Sequence, residues 1–551
     1  MSHGTICTLR TALTTAAFLL RSGNPACGQE IPNGFIHESD GGAAQSKTVG
    51  SQVQSDYLPG NVMEPWEGGP EYFSRWSSGP SADKSHFPIA VWLQSPENTA
   101  TALTYKSIGI NTHIGLWEGP TEKQLSAVSS LSTTTICDQN SAGLHSANNG
   151  VIKAWMHQDE PDNAQGNTQD PVPVSQVVAR YNEMKSNDLT RPVYVNFGQG
   201  VACDAWYGRG NRTNHPEDYA AYSEGADILS FDIYPMNVFP LPNSAASWFR
   251  AFHNAVAQNP WFVASGVENL RKWTNHAKPV WAWIECTNIQ GDSRYALTPS
   301  IVKSEVWMAI IHGARGIGYF CHQFSPSFIE AGLLANPQMR DAVSAINGQI
   351  GSLAPVLNTQ TVANGVATVS GNPAVGVDAM VKRSGGCTYL FAVAMRPGKT
   401  TATFTLRDFT GNTAVEAIGE NRNFVAGHGV FQDEFSDYGV HIYRFQNPGT
   451  SGIGERSNSK KTGFLQNYPN PFNLSTRIEY SIPGGIHVRP VTLKIFNLLG
   501  GEVATLVDEV KPEGNYHVQF DPDRYGLPSG IFVYHLQTEK TSYCKKMIYI
   551  K

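Results

Sequence analysis

Between residues 87 and 324, short apolar runs alternate with longer amphipathic stretches, and this rhythm limits the possible folds more than any other feature. The runs are "FPIAVWL" (87–93), "NTHIGLW" (111–117), "TTTICDQ" (133–139), "VIKAWMHQDE" (151–160), "RPVYVNFGQ" (191–199), "ADILSFDIYP" (226–235), "KPVWAWIEC" (278–286) and "RGIGYFCHQF" (315–324). The segments between them read as helices. "ENTATALTYKSIG" (97–109) stops at Gly109, and "PVSQVVARYNEMKSND" (173–188) sets Val177, Val178, Tyr181 and Met184 at helical spacing. "TPSIVKSEVWMAIIHGA" (298–314) opens with Thr298 as N-cap and Pro299 in the first turn. Continuous apolar strands separated by helices mean a parallel sheet covered on both faces. Eight such units predict an α/β fold, a (β/α)8 TIM barrel spanning 85–357. A doubly wound open sheet is the rival, but it usually carries a Gly-rich turn after its first strand, and "WLQSPEN" (92–98) has none.

The flanks read differently. After a helix over 337–355, residues 358–446 break into short strands and turns such as "VGVDAMVKRSGGCTYLFAVAM" (375–395) and "YGVHIYRF" (438–445), the pattern of a small β-sandwich. Residues 447–463 lack apolar side chains to bury and read as a linker. Residues 464–551 are again β-rich, as in a small Ig-like β-domain. At the other end, "TLRTALTTAAFLL" (8–20) sets Arg10 before a short apolar stretch, and Ala26 and Gly28 offer small residues for cleavage, so 1–28 reads as a secretory signal peptide. Residues 29–84, rich in Gly, Ser and Pro, read as a flexible leader and lead-in. No segment is long and apolar enough to predict a membrane span.

Charged residues make up 16% of the chain and the net charge is −6, which argues against a nucleic-acid partner. The 8 cysteines include no C-x-x-C pair, so zinc and thioredoxin-type motifs are absent. Cys286 and Cys321 fall on neighbouring predicted strands, where a disulfide is conceivable.

The last module carries a resemblance. "LQNYPNPFNLSTRIEYSIP" (465–483), "LKIFNLLGGEVATLV" (493–507) and "LPSGIFVYHL" (527–536) resemble, in order, the C-terminal sorting domain of type IX secretion cargo. The resemblance implies Sec export to the periplasm, passage across the outer membrane by the type IX machinery, and then a secreted or surface-attached protein.

The chemistry centres on two carboxylates. In a (β/α)8 barrel, reactive groups project from the C-terminal ends of the strands. By the sequence count, Glu160 in "WMHQDEPDN" (155–163) closes strand four and Glu285 in "WAWIECTN" (281–288) closes strand seven. Cleaving an acetal needs a proton for the leaving oxygen and an anion for the emerging oxocarbenium centre, and two carboxyls in unlike environments supply both. The arrangement resembles the retaining glycoside hydrolases of the (β/α)8 clan with carboxylates on strands four and seven. That resemblance implies a secreted hydrolase of a β-linked polysaccharide or oligosaccharide, without a cofactor or metal, with Glu160 as acid/base and Glu285 as nucleophile. Most clan members place Asn before the acid, where it contacts the sugar 2-hydroxyl; this chain has Asp159. Read alone, Asp159-Glu160-Pro161 also suits the acidic first turn of a helix. If the roles hold, Glu160 should have a raised pKa, and Glu285 should stay ionised and accept hydrogen bonds.

Other residues at strand ends are candidates for substrate binding. Asp232 and Tyr234 close strand six, where the tyrosine is either a partner for the nucleophile or a packed barrel residue. Asn196 closes strand five and His322 strand eight. Trp92, Trp117 and Trp283 either floor sugar subsites or fill the core. Glu118 follows strand two and either binds hydroxyls or begins the next helix. Two other functions fit parts of this pattern. A metal-dependent barrel hydrolase would use His157, Asp232 and His322, but the first strand lacks the usual H-x-H pair. A non-catalytic carbohydrate-binding surface protein would share the aromatics and the tail.

Overall fold

The computed structural model describes residues 63–64, 69–165, 169–290, 297–446, 465–468, 470–482, 489–497, 500–512, 514–538 and 542–551. The expected signal peptide, most of the leader and the linker lie outside them. The eight apolar runs form β1 (Ile89–Trp92), β2 (Thr112–Ile114), β3 (Thr134–Asp138), β4 (Ile152–Met156), β5 (Val193–Phe197), β6 (Ile228–Asp232), β7 (Val280–Glu285) and β8 (Gly316–Phe320). All pair in parallel in chain order, and β8 returns to β1, closing the barrel. The helix signals act as read: Gly109 turns left-handed after Thr99–Ser107, and Thr298 Oγ1 caps Pro299–Ile311 by accepting from the Ile301 N–H.

The barrel interior is filled by Ala90, Ile114, Ile136, Ala154, Tyr194, Ile228 and two tryptophans of β7, Trp281 and Trp283. Such large side chains fit because β8 gives them room. A Cβ on Gly316 would lie 2.5 Å from the Trp281 ring, and one on Gly318 would lie 2.3 Å from that of Trp283. Part of the expected lead-in belongs to this core. Tyr72 and Phe73, from the helix Pro70–Phe73, pack against it, and the Tyr72 hydroxyl donates to the Asp227 carbonyl at 2.7 Å. Burial of two aromatic rings outweighs the local polar composition there.

The β-domain after the barrel differs from a two-sheet sandwich. Its strands are β9 (Val366–Ser370), β10 (Val377–Ser384), β11 (Cys387–Ala394), β12 (Thr400–Leu406), β13 (Asn412–Ala417), β14 (Arg422–Gly427), β15 (Val430–Phe435) and β16 (Val440–Gln446). They form one sheet in the order β10-β11-β16-β13-β14-β15-β12-β9. The sheet curls over its own core. Phe404 on β12 and Tyr443 on β16 have ring centroids 5.8 Å apart, although four strand spacings in a flat sheet would separate them by about 19 Å. The barrel and this sheet share a core: Trp307 of the helix Pro299–Ile311 stacks on Phe391 at 5.6 Å, and the Ser304 hydroxyl donates to the Tyr438 carbonyl at 2.6 Å.

The C-terminal unit, taken by itself, holds two antiparallel sheets. One pairs Leu465–Tyr468, Thr476–Ile482 and Gly514–Phe520 in that order. The other runs Glu502–Lys511, Arg489–Phe496, Gly530–Thr538 and Ser542–Tyr549. Phe472, Ile478, Leu493, Phe532 and Leu536 are among its core residues. Among the described residues, no helix is long and apolar enough to cross a membrane.

Candidate active site

Because all eight strands are parallel, every group at or just beyond a strand's C-terminal end shares one face of the barrel. Glu285 is the last residue of β7 and is fully buried. Glu160 corrects the sequence count: β4 stops at Met156, and Glu160 lies beyond it in the loop. Pairing with β5 continues irregularly past the strand end, with the His157 N–H donating to the Tyr194 carbonyl and the Glu160 N–H to that of Asn196. Pro161 disfavours the right-handed helical region for Glu160, and its φ is +44°. The left-handed turn directs the chain into a tight loop in which the Asn163 N–H donates back to the Glu160 carbonyl. Asp162, at the base of this loop, is buried and accepts from the Gly198 N–H (2.9 Å) and the Tyr219 hydroxyl (2.8 Å).

Glu160 and Glu285 sit in unlike surroundings. Burial is the main force raising Glu160 well above the usual carboxyl range, helped by the charges of Asp232, Asp159 and Asp162 and by a hydrogen bond to Asp232. Asp232, at the end of β6, is also pushed well up by burial, while the bond from Glu160 pulls it back down. Two carboxyls this close in a buried site disfavour each other's charge, and both are held well above the usual range. Glu285 is raised to about 7 by burial, against the pull of hydrogen bonds from Met236, Asn237 and Glu305. The Met236 N–H donates to its Oε1 at 2.7 Å, the Asn237 side-chain amide donates to its Oε2, and Glu305 faces it as the third partner.

Tyr234 lies between these groups. Burial raises its phenol well above the usual range, and the charges of Asp232, Glu160, Asp159 and Glu285 all add to the rise. One side chain thus senses all four carboxyls. Its hydroxyl makes a long 3.5 Å contact to Asp232 Oδ2, whereas Glu285 accepts from Met236 and Asn237 rather than from this tyrosine.

The remaining candidates fall into two groups. Asn196 is committed to the protein: its amide donates to Asp159 Oδ1 at 3.0 Å, and its oxygen accepts from the Ser230 hydroxyl at 2.8 Å. Asp159 itself opens at the rim, where the surrounding wall raises it to about 6. Trp117 is 41% exposed beside the exposed Glu118, and both remain open for a ligand. Trp283, in contrast, is 2% exposed, crosses Trp92 edge-on at 5.1 Å and donates to the Tyr194 hydroxyl at 3.1 Å. It fills the barrel, and the stacking role considered for it and Trp92 gives way to packing. His322 is buried and held neutral, its pKa lowered by burial to about 4, with Nε2 facing the Gln94 amide at 3.3 Å. His157 Nε2 faces the Gly225 carbonyl at 2.7 Å. His157, Asp232 and His322 do not converge, and among the described residues no three His, Cys, Asp or Glu side chains gather as a metal site. Cys286 and Cys321 have sulfurs 3.9 Å apart, as thiols in contact.

A recess of about 640 Å³ is lined by Glu118, Asp138, Gln139, Gln158, Pro161 and Arg180 among others; neither Glu160 nor Glu285 lines it. Asn237 and Glu305, which meet Glu285, were not singled out from sequence. "YPMN" (234–237) offered a faint signal for the first, since a short polar side chain just past a strand end is often placed to bond a neighbour.

Comparison with known proteins bears on the two ends of the chain unequally. Residues 466–551 match the family model described as a secretion system C-terminal sorting domain. The chain ends in a type IX sorting domain. No curated protein matches the sequence. Among solved structures, an alpha-amylase from Anoxybacillus is similar at 10% identity, with 67% of this chain and 100% of that one covered and a TM-score of 0.37. The alpha-amylase of Geobacillus thermoleovorans, complexed with acarbose, is similar at 10% identity, covering 66% and 99%, at 0.38. A glycoside hydrolase family 30 subfamily 8 xylanase from Clostridium acetobutylicum is similar at 12%, covering 65% and 95%, at 0.35. At scores this low the likeness carries no argument about substrate or mechanism.

Proposed function

We propose that this protein is an exported glycoside hydrolase that cleaves a β-linked glycan with retention of configuration. The observation that carries the reading is the contrast between two carboxyls at one end of the barrel. Glu160 is raised well above the usual carboxyl range beside Asp232, whereas Glu285, raised only to about 7, accepts from a backbone N–H and an amide that favour its anion. In the first step a Glu285 oxygen attacks the anomeric carbon. The bond from that carbon to the leaving oxygen breaks as Glu160 delivers its proton there. In the second step Glu160, now a base, takes a proton from water, and the water oxygen displaces Glu285 from the same carbon. Asp232 supports the cycle by making the Glu160 carboxyl reluctant to ionise. Trp117 and Glu118 offer an apolar face and an acceptor for a sugar at the rim. The sorting tail supports delivery to the cell surface or the medium, and residues 1–28 would provide the Sec signal.

Azide separates the two roles. With an activated aryl glycoside, Glu160→Ala should form the covalent intermediate and release a glycosyl azide of retained configuration, because azide needs no base. Glu285→Ala should give the inverted azide, formed on the vacated side. The anomers are assigned by NMR. The same anomer from both variants, or wild-type activity in either, would end this assignment.

A further inference from the structure

Helix Pro299–Ile311 is apolar on nearly every side, with Val302, Val306, Trp307, Met308, Ala309 and Ile310 buried. Two polar residues are buried with them. Ser304 is satisfied, its hydroxyl bonding to the Ser300 and Tyr438 carbonyls. Glu305 is 0% exposed, and among the described residues neither of its oxygens meets an N–H or O–H donor. A carboxylate left this way would be a buried charge without compensation. What its side chain does face is the carboxyl of Glu285.

Two carboxyls in contact cannot both ionise in a dry site, so one proton lies between them. Its place follows from the other partners. Glu285 already accepts from the Met236 N–H at 2.7 Å and from the Asn237 amide, both of which favour the anion. Among the described residues, Glu305 accepts from no donor. The proton therefore belongs to Glu305, which donates it to Glu285. The other titratable groups near this spot are the Tyr234 phenol and the Cys286 thiol, the latter 3.2 Å from the Phe320 carbonyl and 3.9 Å from the Cys321 sulfur.

We propose that Glu305 is a neutral carboxylic acid that holds the Glu285 carboxylate from behind, as a positioning residue for the nucleophile. This rests on the reading of Glu285 above. The Glu305 proton stays on Glu305 throughout the cycle. The Glu305 O–H steadies the carboxylate before attack, and it stabilises the charge that returns to Glu285 when the covalent sugar leaves. Its loss should therefore slow breakdown of the intermediate more than its formation.

Two measurements test this on the full-length protein. The first needs no substrate. Infrared spectra at neutral pH should contain C=O stretches of protonated buried carboxyls from two places, the Glu305–Glu285 pair and the Glu160–Asp232 pair. Glu305→Gln should remove only the first contribution and Glu160→Gln should alter only the second, so the wild-type minus Glu305→Gln difference band should persist in the Glu160→Gln background. A Glu305→Gln spectrum superimposable on wild type would overturn the proposal. The second is kinetic. Glu305→Met, of similar length but without a donor, should lower the rate of the second step about ten- to a hundredfold, the range for a hydrogen bond to a charged group. It should also move the acid limb of the kcat/KM profile to higher pH. Glu305→Gln, whose amide still donates, should restore most of both. A wild-type rate and profile in Glu305→Met would sink the positioning role. Should Glu285→Gln prove fully active, the nucleophile assignment falls, and the infrared band still decides where the proton resides.

Discussion

At the scale of single residues, the sequence singled out the two carboxyls proposed to react but not the groups that surround them. Glu160 and Glu285 were legible because a charged residue ending an apolar strand is conspicuous. Their controllers, Asp232, Asn237 and Glu305, were read as something else or passed over, since none of these contacts follows from spacing along the chain. Glu305 is the clearest case: at its position in the helix, a sequence reading expects either an apolar residue or a solvated charge. Glu160 also bears a cost that its sequence did not announce. It holds a φ of +44°, where a side chain other than Asn or Gly is strained, and it crowds Asp232, Asp159 and Asp162. Glu160→Asn, which tolerates that backbone and removes one carboxyl, should be inactive yet melt about 1–3 °C higher than wild type. Calorimetry at pH 7 checks this. A melting temperature lowered by as much would show that the strain and crowding are not costly.

At the scale of elements, the barrel was legible strand by strand because its strands are buried on both faces, which leaves unbroken apolar runs. The β-domain was read less well. Alternating strands announce a half-buried sheet, but not whether the two halves are hydrogen-bonded into one, which depends on how far the sheet curls. Its attachment to the barrel was not legible at all. His312, at the C-terminal end of helix Pro299–Ile311, lies between Glu268 of the barrel and Asp378 of β10, at 2.6 and 3.2 Å. Burial lowers its pKa, but the bonds to Asp378 and Glu268 outweigh it and raise the imidazole to about 9. A folded-state pKa above the unfolded value stabilises below the unfolded pKa, and the gain is lost as pH rises through the folded one. The clamp should therefore contribute fully below about pH 6.5 and fade as the pH passes about 9. His312→Gln should lower the melting temperature at pH 6 and make progressively less difference toward pH 10. A difference that stays constant over that range would rule out the ion pairs as its source.

At the scale of the whole molecule, the two compact units should respond oppositely to truncation. The barrel and β-domain share one core through Trp307, Phe391, Met380 and Ile442. Ending the chain after residue 357 should expose that surface and give an aggregating product. Ending it after residue 463 should leave a soluble protein that still melts cooperatively at the wild-type temperature of the larger unit, because the C-terminal unit has a core of its own. In the native host that shorter protein should collect in the periplasm. Its normal appearance in the medium would remove the sorting role from the tail, and loss of fold would show that the tail supports the barrel.

The fit of Trp281 and Trp283 over Gly316 and Gly318 also bears on how such a barrel can be altered. Neither partner can be exchanged alone: a larger residue on β8 meets an indole, and a smaller one on β7 leaves a void. The two strands form an inheritable pair, a key cut for one lock. Chimaeras that recombine barrels should keep their crossover points away from the β7–β8 junction. Library design around Glu285 should diversify both strands together or neither.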